Sequence, residues 1–77
     1  MHVRIMLFSD LKFNVTETIV WDDGDTSMFV WCGKYKALES GYDLTIEKES
    51  DTKDIHGRVS YKEKEENIGK KIKIGKD

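Results

Sequence analysis

Thr18-Ile19-Val20-Trp21-Asp22-Asp23-Gly24-Asp25-Thr26-Ser27-Met28-Phe29-Val30-Trp31-Cys32 is the stretch on which the fold class turns. Two runs rich in β-branched and aromatic residues flank an Asp-Gly pair, and Asp-Gly supplies the positive φ values that a tight hairpin needs. The stretch predicts a hairpin whose tip is Asp22-Asp23-Gly24-Asp25 and whose return strand covers residues 26–36. In that strand Met28, Val30 and Cys32 fall on one face. Phe29, Trp31 and Tyr35 fall on the other, and Gly33 is read as a bulge.

Working outward, the same alternation continues on both sides, and a period of two is the mark of a half-buried strand. Leu11, Phe13 and Val15 alternate with Lys12, Asn14 and Thr16 ahead of the hairpin, with a bulge or bend expected near Thr16 or Glu17 where the parity changes. Val3, Ile5 and Leu7 share a face in the first segment, Arg4, Met6 and Phe8 share the other, and Ser9-Asp10 reads as a turn. Downstream, Leu38-Glu39-Ser40-Gly41 reads as a second turn into Tyr42, Leu44 and Ile46, which alternate with Asp43, Thr45 and Glu47. The polar run Glu49-Ser50-Asp51-Thr52-Lys53-Asp54 reads as a loop, and Ile55-His56-Gly57-Arg58-Val59-Ser60-Tyr61 as a further strand. Lys62-Glu63-Lys64-Glu65-Glu66 is a charge cluster. After an Asn67-Ile68-Gly69 turn, Ile72 and Ile74 alternate with lysines, as an edge strand guarded against intermolecular pairing would, or as a frayed tail.

No segment carries the spacing of an amphipathic helix over three turns, and there are no repeats. The expectation is an all-β, small single-domain fold, either an antiparallel meander or an SH3-like barrel of five to six strands. An OB-type barrel fits less well, because only residues 34–40 are available for its helix. The β domain is placed at residues 1–64, with residues 65–77 as a basic C-terminal edge strand or tail.

Composition bounds the function. The chain has 77 residues, 38% of them hydrophobic and 36% charged, with 13 Lys and Arg against 15 Asp and Glu. A domain of this size has little apolar surface to bury, so a multi-step enzyme with a deep pocket is not expected. Two Trp, three Tyr and three Phe argue against disorder. Met1-His2-Val3-Arg4-Ile5-Met6-Leu7-Phe8-Ser9-Asp10 has too short an apolar run for a secretory signal, and no run is long enough to span a membrane. A cytoplasmic location is expected, and the single Cys32 suits a reducing compartment. On that reading Asn14-Val15-Thr16 resembles a glycosylation acceptor by chance.

Each candidate for chemistry has a plainer competitor. Asp22, Asp23 and Asp25 have the oxygen ligands of a hard-cation site, but their spacing is not that of a calcium loop, and turn geometry accounts for the Asp-Gly pair. No metal or cofactor is therefore assigned. Cys32 with His2 or His56 would make a thiolate nucleophile, yet Cys32 shares the apolar parity of Met28 and Val30 and reads as a small core residue. Asp54 and His56 share a strand face without a serine to complete a triad.

Two binding readings remain. The leading one is a non-enzymatic protein–protein interaction module that acts sterically as a regulator, inhibitor or adaptor, of a larger partner, a form common among phage and mobile-element proteins. Its contact surface is placed at Trp21, Asp22, Asp23, Asp25, Phe29 and Trp31, because an exposed aromatic among carboxylates is a usual anchor. Strand edges offer β-augmentation or a homodimer. The alternative is a nucleic-acid-binding barrel using Lys70, Lys71, Lys73 and Lys76. Against it, residues 1–66 hold nine basic and fourteen acidic groups.

Overall fold

The computed structural model describes residues 1–75 and places them in six strands of one antiparallel sheet, with no helix among the described residues. The strands are β1 (His2–Leu7), β2 (Lys12–Val20), β3 (Thr26–Leu38), β4 (Gly41–Ile55), β5 (Arg58–Lys64) and β6 (Lys71–Gly75). They run as a meander, β1-β2-β3-β4-β5, and β6 returns to pair with β4. The long β4 is thus shared: Gly41 to Thr45 pair with β6, and Glu49 to Ile55 pair with β5. The sheet curls until Leu7 of β1 and Ile72 and Ile74 of β6 pack on a common core, but β1 and β6 do not pair. The barrel stays open and the meander is the architecture.

Local chemistry explains the turns. At the Asp-Gly hairpin Gly24 takes φ 89°, and its N–H donates to the Trp21 carbonyl at 3.0 Å while the Trp21 N–H donates to the Asp25 carbonyl at 2.8 Å. Between β1 and β2, the Phe8 N–H donates to the Lys12 carbonyl at 2.9 Å and Leu11 sits at φ 64°. Glu39-Ser40 joins β3 to β4, as read from the sequence. His56 and Gly57, at φ 52° and 79°, form the two-residue connection between β4 and β5, the conformation a type I′ hairpin demands.

That last turn corrects the sequence reading. Residues 49–54 are strand rather than loop, because they pair with both β3 and β5. Residues 55–61 are not one strand, since His56-Gly57 breaks them. Nor does β2 carry a bulge near Thr16 or Glu17: its register with β3 is unbroken from Lys12 to Val20. The irregularity lies where Gly33 suggested it. Cys32 faces Lys48 and Gly33 faces Ile46, so Glu47 is left unopposed and the facing of β4 changes parity. A Cβ at Gly33 would land on the Thr45 carbonyl oxygen and come within 3.0 Å of the Phe13 ring, so the close approach admits only glycine.

The core is small: Phe13, Val15, Leu44 and Ile46 are buried, with Trp31, Tyr35 and Tyr42 packed against them. Register puts these side chains on one face, here the inner face, because directly opposed residues point the same way. Tyr35 lies edge-on to Tyr42 with ring centroids 5.9 Å apart, and its hydroxyl donates to the Phe8 carbonyl at 2.8 Å, tying β3 to the first turn.

Candidate functional site

The inner face continues beyond the core toward the hairpin, and its character changes along the way. After the bulge the inward positions of β4 are Glu49, Asp51 and Lys53, opposite Trp31, Phe29 and Ser27 of β3. Glu49 is 5% exposed, yet three donors reach it. The Trp31 indole N–H donates at 2.9 Å, the Asn67 side-chain amide at 2.6 Å and the Asn67 backbone N–H at 3.2 Å. Burial by itself pushes the Glu49 carboxyl up. The bonds from Asn67 and Trp31, with the Lys64 ammonium nearby, outweigh that and hold it below its ordinary value.

Beside this latch, Phe29 stacks on Trp31 with centroids 6.3 Å apart, and Lys64 lies 5.7 Å over the Phe29 ring. Lys64 also reaches Asp51 at 3.5 Å, with Lys53 at 4.0 Å on the same carboxylate oxygen, while Asp51 Oδ1 is buried without a hydrogen-bond partner. Aromatic rings, carboxylates and lysines here replace the aliphatic packing found near Leu44.

Farther out, Trp21, Asp22, Asp23 and Asp25 line an open depression of about 550 Å³ together with Ser27, Lys53 and Ile55. Trp21 is 54% exposed at its rim. Asp23 Oδ1 accepts the Asp25 N–H at 3.1 Å, and Asp25 Oδ1 accepts the His56 N–H at 2.9 Å, so the carboxylates brace the hairpin tip against the next turn. Asp23, Asp25 and His56 bring potential metal-ligand atoms within 4.8 Å of one another. Two of those carboxylate oxygens already serve backbone N–H groups, and the residues suffice for a structural brace.

The structure therefore brings four of the six expected contact residues to one depression. Phe29 and Trp31 lie deeper on the same face, half-buried, and Trp31 is committed to Glu49. The strongly exposed tryptophan is Trp21. The expected assignment of β3's faces is reversed: the core side holds Trp31, Gly33 and Tyr35, whereas Met28, Val30 and Cys32 lie on the outer face. Cys32 is a half-buried outer-face residue that accepts a hydrogen bond from the Asn14 amide at 3.3 Å, and is not in the core.

Sequence reasoning missed Glu49, Asp51, Lys53 and Asn67. Their signal was the spacing of His56-Gly57 behind an alternating polar run, which a reading by hydropathy discards. The basic segment docks as an edge strand: Lys71 and Lys73 lie on β6, Lys70 precedes it, and Lys76 falls outside the described residues. Among the described residues no helix is long and apolar enough to cross a membrane. No protein-family model, curated protein or solved structure matches the chain.

Proposed function

We propose that the protein is a non-enzymatic interaction module that acts sterically on a larger protein, which it contacts through the hairpin end of the inner face. One observation carries this reading: Trp21 stands exposed on an open depression whose charged groups are three aspartates and one lysine. A large aromatic held on a rigid hairpin loses little conformational freedom on binding, and the carboxylates around it favour a basic or neutral partner surface over an acidic one. The unpaired edge of β1, where Val3 and Ile5 are 56% and 48% exposed, offers a further strand for pairing with the partner or with a second copy.

The test is capture from a lysate of the source cells with nuclease present, comparing the wild-type chain with Trp21→Ala and with Asp22→Asn/Asp23→Asn. Trp21→Ala is expected to keep its thermal midpoint and to weaken capture of the partner by about thirtyfold or more, the cost of roughly 2 kcal/mol that defines an aromatic anchor. A variant that captures the same protein undiminished places the surface elsewhere. A wild-type chain that captures no nuclease-resistant protein overturns the reading.

A further inference from the structure

The fold assembles a group of lysines that lie far apart in the chain. Lys12 of β2 is opposite Lys34 of β3, Lys34 is opposite Thr45 of β4, and Thr45 is opposite Lys71 of β6. In the neighbouring row Lys36 is opposite Asp43, which is opposite Lys73. Opposed residues point to the same side, so five lysines share the outer face at the end of the sheet remote from the Asp-Gly hairpin. All five are exposed. Strands lie about 4.8 Å apart and alternate residues about 6.7 Å apart, so the lysines form a close two-dimensional array.

Among the described residues two carboxylates temper the array directly. Asp10 reaches Lys12 and Asp43 reaches Lys71, each at 3.8 Å. Among the described residues Lys34, Lys36 and Lys73 have no ion-pair partner. The excess acid that makes the whole chain −2 sits elsewhere, much of it at the hairpin end. β3 alone separates the two ends by 13 residues, about 40 Å of strand, which is several Debye lengths at physiological salt. The acidic end does not cancel the field over the lysines.

We propose that this outer face binds a polyanion, and that the polyanion is the phosphate backbone of a nucleic acid. Charge complementarity selects it. Long flexible lysines on three strands suit repeated point charges along a chain, and Phe8, 44% exposed and hydrogen-bonded through its backbone to Lys12, adds a ring on which any base can stack without distinguishing sequence. Binding is therefore independent of sequence. It is also independent of the Trp21 surface, on the other face and at the other end, so this proposal and the proposed protein contact fail separately.

The experiment is fluorescence anisotropy of labelled single-stranded and duplex oligonucleotides of unrelated sequences, titrated with the full chain from 20 to 200 mM salt. Neutralising about three phosphates predicts a log–log salt slope near −2 on single strands, a loss of about twentyfold between 50 and 200 mM. Lys34→Glu/Lys36→Glu is expected to weaken binding at least tenfold and to flatten the slope. Arg58→Glu/Lys62→Glu, which changes net charge equally on β5, is expected to weaken it less than threefold, and Trp21→Ala not at all. Equal losses in the two double variants, or no binding by wild type at 20 mM salt, overturn the proposal. So does equal or tighter binding to acidic-lipid vesicles or to poly-glutamate at matched charge, which would assign the face to a membrane or to an acidic protein.

Discussion

Leu44 and Glu49 lie on one strand, face the same side and are almost equally buried, at 0% and 5% exposed. They are enclosed in opposite ways. Leu44 is shut in by Phe13, Val15 and Ile46, with Ile72 arriving on β6, and what holds it is loss of apolar surface from water. Glu49 is shut in by the segment after β5, and what holds it is three hydrogen bonds, two of them from Asn67. A domain too small to fill its whole inner face with aliphatic side chains covers the remainder with a polar latch. The difference separates a half that tolerates any solvent condition compatible with hydrophobic burial from a half whose cohesion depends on protonation.

The sharpest way to break the comparison is Leu44→Ala. Removing a fully buried leucine side chain costs about 2–5 kcal/mol, which is comparable to the entire stability of a domain this size. The variant is expected to lose its cooperative unfolding transition in urea. A midpoint shift of a few tenths of a molar would mean that the two halves support each other far more than their packing suggests. A smaller effect is expected for Trp31→Phe, which keeps the stack on Phe29 and deletes one charged hydrogen bond, at about 1.5 kcal/mol. The fold should survive, with the Asn67 amide exchanging faster.

The most diagnostic effect in acid belongs to Glu49→Gln. The Glu49 carboxyl is held below its ordinary value in the fold. Its contribution is therefore fully present above the unfolded-state value of about 4.3 and is lost as pH falls through the lower folded value. Wild type should lose stability as pH falls below about 4, and the gap between wild type and Glu49→Gln should close over that range. Parallel pH profiles for the two proteins would show that the latch is not what titrates.

These contrasts also account for what the sequence disclosed. Asp23-Gly24, Leu38 to Gly41 and the Tyr42-Leu44-Ile46 alternation were legible because a turn's φ requirement and a buried face both leave a local signature. The alternation of Ile72 and Ile74 with lysines left an edge strand and a frayed tail both open, and the pairing of β6 with β4 decides for the strand. Residues 49–54 were not legible, because a strand with acids and lysines on its inner side carries no hydropathy contrast. Glu49 is capped by Asn67, 18 residues away in the chain. The faces of β3 were misjudged because Met28, Val30 and Cys32 look as apolar as Phe29 and Trp31. What decides between them is the register that sets Phe13 opposite Gly33 and Val15 opposite Trp31. Of the six residues expected to form a contact surface, the four that line one depression are those the hairpin turn marks in the sequence. The outer-face lysines were half-legible, since Lys71 and Lys73 are neighbours in sequence but Lys12, Lys34 and Lys36 join them only through pairing.

The division of β4 between two partners bears on how the chain reaches this state. Pairing Thr45 with Lys71 in an otherwise unstructured chain means closing a long loop, and the entropy cost of closure rises with its length. The His56-Gly57 turn lowers that cost in advance, by about 1 kcal/mol. Once it has zipped β5 onto β4 as far as Glu49 and Lys64, only residues 65–70 remain between the growing hairpin and β6. Asn67, in the middle of that link, is then within reach of Glu49, and β6 is delivered to its place beside Leu44. A two-residue turn that touches no core side chain thus shortens the loop that must close before the core is covered, because it converts the longest-range pairing in the sheet into a local one.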